Sequence, residues 1–435
     1  MRRLLVLVLA AIGAGLVPPP VWCDAPAPPA APMTLRQAQD YALAHHPEIQ
    51  AAGLQAQAAD QVVRETRAAF FPQAVADLTG VAAGDSTRVA ASGGLNNPSV
   101  FQRESNGLLV SQLITDFGRT SALTASSRFQ AESAAQAART VRARVLLEVN
   151  RAYFGVLGAK ALVMVAQQTV EDRRLTLDRV SALAKANLKS SLDVSFAEVA
   201  LGDATLLELR AKDRLDAAYA ELATALGSRD EGVRALAEEP LPPPPPEDID
   251  SLVRSALADR PELLAFRAQR DATLKMASAE KAERYPVVAA IGAVGFSPYR
   301  DDRLQPTYAT AGVNVSVPVL TGGRLSAREQ EAALRASAAA RTLDDQENRI
   351  ERDVRTSWLD ARTAFKAIAI TEQLLDSASR ALELAESRYN LGISSIVELS
   401  QAQLQKTQAE IADATARYDY QLKRADLEFQ VGTLR

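Results

Sequence analysis

Apolar positions along this chain follow two periods, and the order of those periods occurs twice. Val170, Arg173, Leu177, Val180 and Ala184 stand at alternating spacings of three and four, and Leu375, Ala378, Leu382, Ala385 and Tyr389 repeat that pattern further on. Such spacing marks the seam of a coiled coil along one face of a long helix. No proline interrupts residues 120–186, so a single helix of about 100 Å is predicted there at about 1.5 Å per residue. Each long helical run breaks at a short tip and restarts. In the second tip, Tyr389 to Glu398, Gly392 ends one helix because it accepts φ > 0 without penalty. Ser395 followed three residues later by Glu398 reads as a capping box that opens the next. Ser190 and Asp193 repeat the box in the first tip, where Asn187, the next-best residue for a left-handed turn, stands in place of Gly392. From the first tip the helical pattern runs on to Leu226, and Gly227 closes it.

The second period is two. Val313, Val315, Val317 and Val319 alternate with Gly312, Asn314 and Ser316, and Ser105 to Ile114 reads as another strand. This alternation suits a barrel wall between lipid and water. It also suits a soluble strand that buries one face. Two hairpins are predicted, at about 73–114 and 287–319, the first with an exposed Gly/Ser/Asn-rich loop over 84–103. Strands of about ten residues have the length needed to cross an outer membrane.

The whole layout is duplicated. Thr34 and Gln37 form a capping box ahead of a short helix, and His46-Pro47-Glu48 opens a second helix with proline at its first position. Asp248-Ile249 and Arg260-Pro261-Glu262 mirror them, and Tyr285-Pro286 mirrors Phe71-Pro72. Leu320 to Arg324 then mirrors Thr115 to Arg119, at an offset nine residues smaller, so the first copy carries its insertion inside its β-hairpin, where a loop tolerates it. The division is a first repeat over 26–227, a Pro-rich linker over 228–247 with an unbroken run from Pro242 to Pro246, and a second repeat over 248–435. Such a proline run is predicted to be a stiff extended spacer.

Residues 1–25 read as a secretory signal. Arg2-Arg3 precede an apolar run from Leu4 to Val17, too short for a membrane span. Trp22 before Cys23 is unlike the small residues of a lipoprotein signal, and cleavage at Ala25 or Ala27 would leave no cysteine. No later segment combines the length and apolarity of a transmembrane helix, so an exported soluble protein or an outer-membrane barrel is implied. Aromatic residues make up only 5% of the chain, which favours long, closely packed helices over a compact globule. A net charge of -4 argues against a nucleic-acid partner.

Enzyme chemistry finds no support. His45 and His46 are adjacent and point apart on a helix, so they make no metal site. Gly322-Gly323-Arg324 lacks the Lys-Ser/Thr of a phosphate loop. No nucleophile arrangement or carboxylate dyad stands out, and nothing calls for a cofactor.

Four strands cannot close a membrane barrel, and open edges in lipid would leave backbone groups unpaired at several kcal/mol each. If these strands cross a membrane, two or three chains must pool them. The export signal, the duplicated layout, the proline at each helix–strand junction and Tyr389-x-x-Gly392 together resemble the TolC-type outer-membrane efflux proteins over about residues 34–434. That resemblance implies an α+β membrane fold. In it, a homotrimer shares a 12-stranded β-barrel in outer-membrane lipid, continuous with a 12-helix tunnel through the periplasm. It implies passive export of drugs, small molecules or secreted protein, with a periplasmic adaptor and an inner-membrane RND-type or ATP-driven transporter as partners. The competing class is an exported periplasmic coiled-coil structural protein without a channel.

By the same resemblance, the second tip constricts the tunnel. Its pore-gate positions here are Tyr389, Ser394, Glu398 and Gln401. Glu398 keeps a carboxylate that three copies would make into a ring; Gln401 does not. Ser394 stands where the best-known relatives carry an arginine, so a latch built on that arginine must be absent or replaced. Asn187 and Leu188 in the first tip, with Gly392 and Ile393 in the second, are the implied adaptor contacts. Glu398 also has a plain role as a helix cap, and Leu188 and Ile393 as local packing.

Overall fold

The computed structural model describes residues 32–81, 103–228, 235–298 and 305–434. The predicted signal at residues 1–25, Cys23 and nearly all of the predicted 84–103 loop lie outside them. The elements run α1 (Leu35–His45), α2 (Pro47–Ala68), β1 (Gln73–Val81), β2 (Arg103–Thr115), α3 (Arg119–Lys185) and α4 (Ser191–Ala225). The same order follows as α5 (Ile249–Asp259), α6 (Pro261–Ala282), β3 (Val287–Phe296), β4 (Thr307–Ser316), α7 (Arg324–Asn390) and α8 (Ile396–Val431). Thr34 caps α1 with both bonds of its box, and Pro47 and Pro261 sit in the first turns of α2 and α6. The chain swings from sheet into each 67-residue helix through a left-handed glycine, Gly118 at φ 97° and Gly323 at φ 82°. A side chain at either position would be strained.

The four strands form one antiparallel sheet in the order β1-β2-β3-β4. The β2–β3 pairing joins the two repeats, and β1 and β4 are its edges. β4 ends at Ser316, so Val317 and Val319 fall in the segment leading to α7 and do not extend the aliphatic face as the alternation predicted. Every residue of β4 is exposed, Val313 by 64%. Within one chain, then, β4 has no buried face of the kind a soluble strand would need.

The helices stand side by side. Below the sheet α3 packs on α2 and α6, and α6 on α7; farther down α3 packs on α4 and α8, and α8 on α7. A Cβ on Gly227 would strike His46, and one on Gly432 would press on Arg260. The end of α4 therefore abuts the start of α2, and the end of α8 abuts the start of α6. Each chain thus makes four pillars in a row: α2 with α4, α3, α6 with α8, and α7.

None of the ten seam positions read from the sequence is exposed, and Val180 and Tyr389 are almost fully buried. One stretch of α3 is long and apolar enough to cross a membrane, which the sequence reading overlooked; most of it is buried against neighbouring helices, as a core helix would be. Its residues Val145, Val149, Tyr153, Val156 and Leu157 centre the main core under α1 and the linker.

The linker is held rather than free. Tyr153 donates to the carbonyls of Met33 (2.9 Å) and Ala237 (2.8 Å), and the Gln421 amide donates to Glu239 O (3.2 Å). Tyr420 donates to Pro243 O, and Trp358 Nε1 donates to Pro246 O at 2.7 Å. Those two carbonyls are three residues apart, one turn of a polyproline helix, and so share a face.

Candidate functional site

The two helical tips lie together at the end of the chain farthest along the coiled coil. Each ends its first helix with the same backbone device. Leu188 N donates to Leu183 O (2.9 Å), and Ile393 N donates to Arg388 O (3.0 Å). The turn residues are left-handed, Asn187 at φ 63° and Gly392 at φ 76°. The hydrogen-bond pattern closes the orphan carbonyls of the last turn. Beyond it, Leu188 and Ile393 are exposed by 69% and 63%.

The second helices start differently. In the first tip the box is complete: Ser190 Oγ accepts from Asp193 N (3.2 Å), and Asp193 Oδ2 accepts from Ser190 N (3.0 Å) and from its hydroxyl (2.9 Å). In the second tip only half of it forms. Ser395 Oγ accepts from Glu398 N at 3.3 Å, but the Glu398 carboxylate turns to Arg388, Nε to Oε1 2.9 Å. A bond between two charged groups outcompetes one to a neutral backbone N–H. The box predicted for Ser395 and Glu398 is corrected accordingly.

Tyr389 is 2% exposed and packs with Val180, Ile396 and Leu399 in a small core that joins both hairpins. Lys189 of the first tip lies over its ring, Nζ 3.8 Å from the centroid, and donates to its carbonyl at 3.3 Å. A cation over an aromatic face contributes about 0.5 to 2 kcal/mol. The Tyr389 hydroxyl is buried without a partner. Burial, then the negative field of Asp193, pushes its pKa above the usual phenol range. The Ser394 hydroxyl is likewise shut from solvent and unbonded. Gln401, one turn beyond Glu398, is exposed and lines a groove of about 330 Å³ between α4 and α8 with Phe196, Val199 and Leu404.

The structure thus brings Tyr389, Glu398 and the two turns together, and leaves Gln401 outside the cluster. Sequence reasoning missed Arg388 as the partner of Glu398 and Lys189 as the partner of Tyr389. Above the tips it also missed a polar layer in the seam. There the buried Arg173 donates to Thr407 Oγ1 (3.1 Å) and Gln403 donates to Thr176 Oγ1 (3.1 Å). Burial lowers the pKa of Arg173, against the opposing pull of Asp172, Glu410 and Glu386. No cluster of metal-ligating side chains occurs among the described residues.

A family model described as outer membrane efflux protein matches residues 39–228 and 252–433. Outer membrane protein TolC of Escherichia coli is 23% identical over 92% of this chain and 82% of its own length. The alkaline protease secretion protein AprF of Pseudomonas aeruginosa is 24% identical over 90% and 83%. The crystal structure of a membrane protein from Pseudomonas aeruginosa superposes with a TM-score of 0.81 at 24% identity, covering 92% of this chain and 90% of that one.

Proposed function

The chain belongs to the outer membrane efflux protein family, and from that premise we propose that three copies form one export duct closed at the second tip. It is an outer-membrane channel protein with a periplasmic helical body; the reading as a structural coiled coil without a channel has no comparable support. The observation that carries the proposal is the pair of open flanks. The sheet ends on β1 and β4, and the pillar row ends on α2 with α4 at one side and α7 at the other. Both outer helices carry exposed apolar stripes at coiled-coil spacing: Leu192, Phe196, Val199 and Leu206 on α4, and Ile370, Leu374 and Leu384 on α7. Three chains joined flank to flank make 12 strands and 12 pillars, which leaves no sheet edge in lipid.

In this assembly three copies of Glu398 approach one axis. Arg388 takes the part that the missing arginine at Ser394 would play, holding Glu398 within its own chain. Lys189, stacked on Tyr389, ties the gating hairpin to the outer one. Like carboxylates around a narrow opening favour cations and hinder anions. Leu188 and Ile393 meet the adaptor, and an inner-membrane transporter supplies the energy. The repeats 26–227 and 248–435 each contribute two strands and two pillars. The test is the state of the protein in outer-membrane fractions. Trimers that dissociate on heating are expected; a soluble periplasmic monomer overturns the proposal.

A further inference from the structure

Register places Asp77, Gly107, Gly295 and Tyr308 in one row across all four strands. Directly opposed residues in an antiparallel sheet share a face. Neighbouring rows of that face hold Gln73, Ser111, Thr310 and Asn314. The other face, from Ala76 and Leu108 through Val294 and Ala309 to Val315, is mainly aliphatic across its middle, with Glu104, Asn106, Gln112 and Thr307 toward its ends. In a barrel wall the aliphatic face meets lipid and the mixed face meets the lumen.

Tyr308 therefore starts from the lumen face, yet it does not stand into the lumen. A Cβ placed on Gly295 would collide with the Tyr308 ring, and one placed on Gly107 would collide with its hydroxyl. The ring lies flat across β3 with its tip on β2. Neither glycine has positive φ, so backbone conformation does not demand glycine at these sites. What demands it is the ring. A glycine in a strand interior weakens the strand and often marks such a close approach.

We infer that Gly107 and Gly295 form a seat that parks Tyr308 against the barrel wall and keeps the lumen open near the loop end of the β3–β4 hairpin. The inference rests on the trimeric duct, in which three such rings face one axis. An occupied seat at Gly295 must lift the ring and narrow the passage at three points.

The test uses the full-length trimer reconstituted in lipid. Y308W supplies an indole at the seat, quenched by iodide in water or by brominated lipid chains in the membrane. Partial iodide quenching is expected with Gly295 present, because the seated ring keeps one face in the lumen and Tyr308 is 41% exposed, and it should rise further when G295A is added, with little quenching by brominated lipid in either. Open-channel conductance should fall in G295V and recover in G295V/Y308A. Equal iodide quenching with and without G295A overturns the seat. Strong quenching by brominated lipid overturns the face assignment. G295V conducting as the unsubstituted channel does, in trimers that still resist detergent, overturns the effect on the passage. Failure of the duct itself is read separately, as absence of conductance by the unsubstituted protein.

Discussion

The first and second tips share a backbone and differ in what their carboxylates do. Asp193 is spent on its own helix start, with three bonds to Ser190. Glu398, one methylene longer, reaches across the turn to Arg388 and leaves half of its cap unmade. The first tip is therefore a finished turn. The second holds a charge pair whose members are each about half exposed, and such a pair contributes only about 0 to 1 kcal/mol. A contact that weak can be exchanged for another at little cost, as an opening element requires. Duplication supplied the shape of the turn, and a change of partner gave the second copy the weaker closure.

The largest effect is expected at the residue that joins the tips. Tyr389→Ala empties a buried site and should cost about 3 to 5 kcal/mol, as buried aromatic truncations do. Hydrogen exchange of the tip amides would report it as loss of protection in both hairpins. Tyr389→Phe should be close to neutral, because the hydroxyl it removes has no partner; a large loss in that variant would mean the hydroxyl is bonded in the trimer. Next comes the turn. Gly392→Ala places a Cβ at φ 76° and should cost about 1 to 2 kcal/mol. Asn187→Gly should change stability by no more than a few tenths, since Asn already tolerates that conformation. Thermal melting of the two variants sets the tips apart directly.

Smaller again is the pH response of the linker. Burial and then Glu239 push the Tyr153 pKa up to about 12, and burial and then Glu238 do the same for Tyr418. Both phenols hold their protons more tightly folded than unfolded, where about 10 is usual. Their stabilisation is complete below pH 10 and is lost as pH rises toward 12. Proteolysis near Glu238 should therefore quicken over that range, and Tyr418→Phe should flatten part of the rise.

Much of this architecture could be read in the chain because its signals are local. The seam positions, the left-handed turn residues and the Ser190–Asp193 box all depend on neighbours a few residues away, and period-two alternation located the strands. The ends of those strands were less legible: Val317 and Val319 keep the alternation after the ladder has stopped at Ser316. The docking of the proline run was not legible, since Trp358 and Tyr420, which hold its carbonyls, lie more than a hundred residues away. The tip cluster failed for the same reason. Lys189 meets Tyr389 across 200 residues, and no spacing rule links them. The Arg388–Glu398 pair spans a turn whose closure had first to be known.

The central claim is that Glu398 closes the second tip, and single-channel recording of the trimer in planar bilayers tests it most directly. Glu398→Ala should raise conductance and weaken block by multivalent cations added from the tip side, whereas Arg388→Ala, which frees the carboxylate, should retain the block. Unchanged conductance together with unchanged cation block in Glu398→Ala would contradict the claim.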